Sequence, residues 1–116
     1  MNKTLAFTTL MLATGLAFAH AKLQASTPAD HATVSPAPAE LRLQFNEAVE
    51  VAMSSIRLSG PGDAALATGQ VAADPQDDKA LVLPLPKLAA GDYRARWSTM
   101  GHDGHHTKGE IRFTVK

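Results

Sequence analysis

Short segments in which apolar and polar residues alternate are the feature that most limits how this chain folds. A period of two places apolar side chains on one face of an extended strand. No stretch shows the spacing of three to four residues that an amphipathic helix requires. The alternating apolar positions are Leu41, Leu43 and Phe45; Ile56 and Leu58; Leu81, Leu83 and Leu85; Tyr93, Ala95 and Trp97; and Ile111, Phe113 and Val115.

Turns rich in proline, glycine and aspartate separate these segments, as at residues 27–30, 35–38, 60–63 and 90–92. With two weaker strands at about residues 21–26 and 69–73, the pattern predicts about seven strands. Short strands at this spacing are typical of an all-β, immunoglobulin-like Greek-key sandwich or barrel. We expect one such domain, with Tyr93 and Trp97 pointing inward.

The first 19 residues have the layout of a secretory signal peptide. A basic start at Lys3 precedes a short apolar run, and Ala17-Phe18-Ala19 resembles a cleavage site with small residues at both ends. Residues 1–19 are therefore predicted to be removed, which leaves residues 20–116 as an exported, soluble domain. Neither the short apolar run nor any later segment is long enough to predict insertion into a membrane.

Charge and cysteine content narrow the possible functions. The chain has 11 basic and 11 acidic side chains, and no basic cluster stands out along the sequence, which argues against nucleic acid or anionic lipid as a partner. There is no cysteine, so thiolate metal sites and redox-active thiol pairs are excluded. Any metal chemistry must use histidine, carboxylate, methionine or backbone donors.

Cleavage after Ala19 would make His20 the first residue and give it a free amine beside its imidazole. These two donors can close a chelate ring around a metal ion. Asp103 and His105, two residues apart in the loop expected between the last two strands, add a carboxylate and a second imidazole. Three nitrogens and one oxygen favour Cu(II), one ion per processed chain. Zn(II) uses the same donors in a tetrahedron.

If the backbone from Asp103 to His105 stays extended, both side chains lie on one side of the chain, and Gly104 would let the backbone bend to fit the metal. Glu47 is a candidate to support the site from a strand end, either by accepting a hydrogen bond from a ligand or simply as an exposed residue. His102 and His106 flank the motif and are either additional ligands or exposed loop residues. His31 is expected at the surface.

Several segments together resemble the CopC family of bacterial periplasmic copper-resistance proteins. They are the start at His20, residues 26–30, residues 38–49, and the stretch from Trp97 through residues 103–105 to Val115. The resemblance implies a Greek-key β-sandwich and a Cu(II) site made of His20, Asp103 and His105, with Glu47 nearby. Residues 51–73 contain Met53 as their only methionine, which resembles the members that bind Cu(II) alone.

The resulting expectation is a monomeric periplasmic protein, not an enzyme, that sequesters Cu(II) or delivers it to a membrane partner. In the family that partner is a CopD-like inner-membrane protein. One alternative is a copper-dependent oxidative enzyme resembling polysaccharide monooxygenases, which also bind copper through an N-terminal histidine. Another is a metal-free interaction module.

Overall fold

The alternating segments form strands in a computed structural model that describes residues 20–116. Nine strands and two single turns of 3-10 helix follow one another along this part of the chain. The turns are Val51–Met53 and Pro61–Asp63. The strands are β1 (Leu23–Thr27), β2 (Ala32–Val34), β3 (Glu40–Phe45), β4 (Ser55–Ser59), β5 (Ala65–Leu66), β6 (Ala72–Asp74), β7 (Asp77–Pro84), β8 (Gly91–Met100) and β9 (His106–Val115).

The strands form two sheets that face each other across one core. The first sheet has four strands in the order β1-β3-β7-β6, and the second has five in the order β2-β9-β8-β4-β5. All pairs are antiparallel except β2 with β9, which run parallel. The long β8–β9 hairpin pairs without a break from Gly91 opposite Val115 to Met100 opposite His106. Its connecting loop therefore lies at one end of the sandwich.

The apolar halves of the alternating strands supply the core, as the period of two predicts. Trp97 contacts the edge of Phe45 from the opposite sheet, with ring centroids 5.1 Å apart. Tyr93 stacks on Phe113 at 5.5 Å, and its hydroxyl donates a hydrogen bond of 2.6 Å to the Ala89 carbonyl. The largest fully buried side chains are Phe45, Phe113, Leu41, Leu43, Leu81, Leu83, Ile111 and Thr99.

The two-sheet, all-β architecture and the inward positions of Tyr93 and Trp97 are confirmed. The strand count was too low, because β2 and β5 have three and two residues and are too short to show a period of two. The proposed signal peptide, residues 1–19, lies outside the described residues. In the part of the chain that is described, no helix has the length and apolar character needed to cross a bilayer.

Candidate metal centre

The loop between β8 and β9, residues 101–105, is a tight turn. The Gly101 amide donates to the His105 carbonyl at 3.1 Å, and the Gly104 amide donates to the Gly101 carbonyl at 3.0 Å. Gly104 has a φ of 84°, in the left-handed region that a residue with a Cβ rarely adopts. The turn is therefore set by its own backbone hydrogen bonds and by one glycine.

Asp103 and His105 are joined twice inside this turn. The His105 amide donates to Asp103 Oδ1 at 3.0 Å, and His105 Nδ1 lies 2.9 Å from Asp103 Oδ2. The backbone bends at Gly104, and the two side chains meet through an Asx-type turn rather than through strand alternation. The hydrogen bond from the His105 side chain, followed by that from its amide, lowers the pKa of the Asp103 carboxyl below 3.8.

His20 reaches the same loop from the start of the described chain. Its ring meets the His105 ring edge-on, with centroids 4.7 Å apart and planes at 80°. One donor atom from each of His20, Asp103 and His105 lies within 4.8 Å of the other two. The three residues predicted from the sequence are thus brought together, although 83 positions separate His20 from Asp103 in the chain.

Three hydrogen bonds hold the backbone that follows His20. The Thr107 hydroxyl donates to the Ala21 carbonyl at 2.8 Å. Asn46 accepts from the Lys22 amide at 2.8 Å through Oδ1 and donates its own amide to the Lys22 carbonyl at 3.0 Å. The segment is therefore held against strand β9 and against the end of β3, which places His20 over the loop.

The carboxylates of Glu47 and Asp103 both approach Gly101, whose role was missed from the sequence. A methyl group at Gly101 would overlap Glu47 Oε1 and lie 3.0 Å from Asp103 Oδ1. The two carboxylates therefore approach the chain where a side chain is absent. A glycine directly before a polar loop was the available signal, but glycine is common in turns for other reasons.

The remaining histidines lie outside this group of three donors. His102 Nε2 is 3.4 Å from Glu50 Oε1, and both side chains are largely exposed. His106 is exposed at the first position of β9. His31 is at the surface as expected, beside Asp30 at 3.4 Å. The described chain thus groups His20, Asp103 and His105 without the other histidines.

The spacing of the three donors suits a metal ion. Adjacent donors of a planar site with bonds of about 2.0–2.1 Å lie about 2.9 Å apart, and Asp103 Oδ2 and His105 Nδ1 are separated by 2.9 Å. A metal bound here would replace the proton shared by Asp103 and His105, so binding would release protons.

Comparisons with known proteins give the family. The CopC domain family matches residues 23–116. Protein YobA of Escherichia coli K12 is 38% identical over 117 residues, which cover 100% of this chain and 94% of the relative. Copper resistance protein C of Xanthomonas campestris pv. juglandis is 37% identical over a match that covers 98% of this chain and 97% of the relative. Copper transport protein CutJ of Bacillus subtilis is 29% identical over 84% of this chain but only 18% of its own length.

Solved structures agree with this assignment. CopC from Methylosinus trichosporium OB3b superposes with a TM-score of 0.79 at 28% identity, covering 84% of this chain and 94% of the other. PcoC, a methionine-rich copper resistance protein from Escherichia coli, gives 0.77 at 33% identity, covering 84% and 100%. Apart from protein YobA, these relatives carry names of copper resistance or copper transport rather than of catalysis, in agreement with a non-enzymatic protein. The chain belongs to the CopC domain family of copper-resistance proteins.

Proposed function

We propose that this protein is a periplasmic carrier that binds one Cu(II) ion through His20, Asp103 and His105. Removal of residues 1–19 would free the His20 amine, which would join its imidazole as a fourth donor. The protein would hold copper in a soluble form or pass it to a partner, without catalysing a reaction. The observation that carries the proposal is the convergence of three donors within 4.8 Å in a member of a copper-resistance family.

The donor set favours Cu(II) over other ions. Nitrogen and carboxylate donors in a tetragonal arrangement suit Cu(II), whose affinity for such sites exceeds that of Zn(II). Cu(I) prefers clustered thioethers. Residues 51–73 contain only Met53, which is half exposed, whereas the related PcoC is described as methionine-rich. The chain therefore lacks the ligands for a comparable Cu(I) site in that region.

Delivery to a transport protein is supported by the relative CutJ. That copper transport protein matches most of this chain with 18% of its own length, so the equivalent domain is one part of a much longer chain. In CutJ the equivalent domain is covalently part of the copper transport protein, whereas a separate protein of this family would have to bind the transporter from outside its chain. We therefore propose that the partner is a CopD-like copper transporter of the inner membrane.

The first experiment compares two proteins that differ at one position. One begins at His20 and the other carries an extra alanine before it, and Cu(II) is titrated into each. The quenching of Trp97 fluorescence and the EPR spectrum follow binding. Tight one-to-one binding with a tetragonal, nitrogen-rich signal is expected for the first protein, and binding weaker by roughly tenfold or more for the second, because its nitrogen before His20 is an amide.

Two variants complete the design. Asp103→Asn keeps the size of the side chain but removes its charge, and it is expected to weaken Cu(II) binding by at least roughly tenfold. His31→Asn removes an exposed histidine remote from the loop and should leave the affinity unchanged. Equal, weak binding by the proteins with and without the extra alanine would contradict the proposal and favour a metal-free interaction module.

A further inference from the structure

Five cations that are separated in the sequence lie on the outer face of the five-stranded sheet. Residues 56, 58, 93, 95, 97, 111 and 113 point into the core, so their neighbours on β4, β8 and β9 point outward. Five of these outward neighbours are basic, and Asp92 and Glu110 are the acids among them. We name them the basic face: Arg57, Arg94, Arg96, Lys108 and Arg112.

The strand register sets like charges directly opposite each other on this face. Arg57 is opposite Arg96, and Arg94 is opposite Arg112. Facing pairs of like charge destabilise a sheet, and sequences usually avoid them. The repulsion within these two pairs is expected to lower the free energy of unfolding. A role in binding would explain why the sequence retains them.

Glu110 and Asp63 compensate this charge only in part, and Asp63 lies 3.7 Å from Arg94. Glu110 makes the larger number of ion pairs. Its carboxylate lies 3.1 Å from Arg112, 3.4 Å from Arg94 and 3.6 Å from Arg96. The Arg112 hydrogen bond and the charges of the nearby arginines hold the pKa of the Glu110 carboxyl below its usual value of 4.5. Among the described residues, Arg57 and Lys108 form no ion pair, so the face keeps a surplus of positive charge.

Part of the basic face lines a shallow, open groove of about 570 Å³ over β4, β8 and β9. Its lining includes Arg57, Arg96, Lys108 and Glu110 beside Trp97 and Gly109. The groove combines exposed cations with an apolar floor. Such a combination accommodates an extended chain whose side chains carry negative charge.

We propose that the basic face is a docking surface for an acidic segment of a partner protein. Arginine binds carboxylates through paired N–H donors, and four of the five cations are arginines. Glu110 already demonstrates this recognition within the chain, since three guanidinium groups converge on its carboxylate. An aspartate- or glutamate-rich segment would occupy the donors that Glu110 leaves unused.

A lipid surface fits the face less well. Peripheral binding to anionic lipid combines excess cationic charge with apolar side chains that enter the bilayer. The chain has no net charge, and Met53, the one large hydrophobic residue exposed in the described part, lies outside the basic face. Attraction is therefore local and directional, as in a protein complex, rather than long-range.

The position of the face links it to the metal loop. Lys108 follows His105 by three residues on β9, about 10 Å along an extended strand. A segment seated in the groove would therefore lie near His20, Asp103 and His105, where a copper acceptor must be. This link to copper rests on the proposed function, whereas the docking of an acidic segment does not. Docking is therefore tested without metal, so that its failure and a failure of copper binding can be told apart.

The test measures the binding of a fluorescein-labelled decaglutamate peptide to the metal-free exported protein by fluorescence anisotropy. Arg57→Ser/Arg96→Ser removes two cations of the basic face. Lys87→Ser/Lys116→Ser removes two exposed cations elsewhere and is the matched control. Binding is expected to weaken roughly tenfold in the first variant, by at most about threefold in the control, and to disappear when ionic strength rises from about 0.01 M to about 1 M.

Circular dichroism verifies the fold of each variant, and Lys108→Glu is a second probe that leaves both arginines in place. Equal weakening in both double variants would overturn the proposal, because net charge alone would then explain binding. Absence of peptide binding would overturn it too. So would binding to vesicles of phosphatidylethanolamine and phosphatidylglycerol, or to an oligothymidine, in preference to the peptide.

Discussion

The Thr107 hydroxyl donates a hydrogen bond of 2.8 Å to the carbonyl oxygen of Ala21, across 86 positions of the sequence. Ala21 is almost completely buried and directly follows His20, while Thr107 comes two residues after His105. One hydrogen bond therefore connects the backbone next to His20 to β9, the strand that begins directly after His105. The position of His20 depends on this contact as well as on its own side chain.

Thr107→Val is expected to weaken Cu(II) binding by roughly three- to tenfold, since one hydrogen bond contributes about 0.5–1.5 kcal/mol. The valine keeps the shape of the side chain and removes only the donor. Thr114→Val is the matched control, because the Thr114 hydroxyl donates to Asp92 at the opposite end of β9. Competition titrations with a Cu(II) chelator measure both. Equal affinities of the two variants would show that the contact does not position His20.

Gly101→Ala is expected to lower the free energy of unfolding by about 1–3 kcal/mol, because the new methyl group overlaps the Glu47 carboxylate. Urea denaturation gives the value. Adding Glu47→Ala to this variant removes the overlapping group and should recover part of the loss. If the double variant is less stable than the sum of the two single changes predicts, steric overlap is not the cause.

Acid should weaken the β3–β7–β6 edge through Asp74 and Asp77. The pKa of Asp74 is lowered by hydrogen bonds from the Gln76 amide and the Arg42 side chain, and that of Asp77 by the Lys79 amide and the Gln44 side chain. Because the folded values lie below the ordinary 3.8, this stabilisation is complete above pH 3.8 and is lost as pH falls through the folded values.

Asp74→Asn therefore lowers the melting temperature at neutral pH but makes little difference in acid well below pH 3.8, where Asp74 of the parent is protonated as well. Thermal denaturation followed by circular dichroism over a pH series measures this difference. Asp78→Asn is the control, since Asp78 is exposed on the same strand as Asp77 and forms no ion pair among the described residues. A pH-independent effect of Asp74→Asn would contradict the assignment.

Arg57→Ser is expected to raise the free energy of unfolding by about 0.2–1 kcal/mol, because it removes an arginine placed directly opposite Arg96. The gain should shrink as salt screens the repulsion. Arg42→Ser is the opposite case, since Arg42 hydrogen-bonds Asp74 and its removal should destabilise the fold. Urea denaturation at low and high ionic strength distinguishes the two. A loss of stability in Arg57→Ser would show that the facing arginines are not in conflict.

The sequence predicts the central strands well because burial on one face imposes a period of two, as along β3 and β8. Strands β2 and β5 have three and two residues, and their place at the sheet edges comes from pairing with β9 and β4. That information lies in tertiary contacts. A local pattern cannot contain it.

The candidate site divides in the same way. His20, Asp103 and His105 are recognisable as donors by residue type, but the turn that joins the last two depends on backbone hydrogen bonds of Gly101 and Gly104. The basic face cannot be predicted from the order of residues in the sequence. Arg57 and Arg96 become neighbours only when β4 pairs with β8, so a sequence without a basic run still produces a strongly charged surface.

The hydrogen bonds to Ala21 and Lys22 bear on the stage of export at which the protein would gain its affinity for copper. These hydrogen bonds hold the backbone beside His20 against β9 and the end of β3. If residues 1–19 are removed, as proposed, the nitrogen before His20 changes from an amide to an amine, while the side-chain donors of His20, Asp103 and His105 are the same residues in both forms. Under the proposed function, full copper affinity is acquired at the moment of cleavage, and a chain retained before export stays a poor competitor for copper in the compartment where it was made.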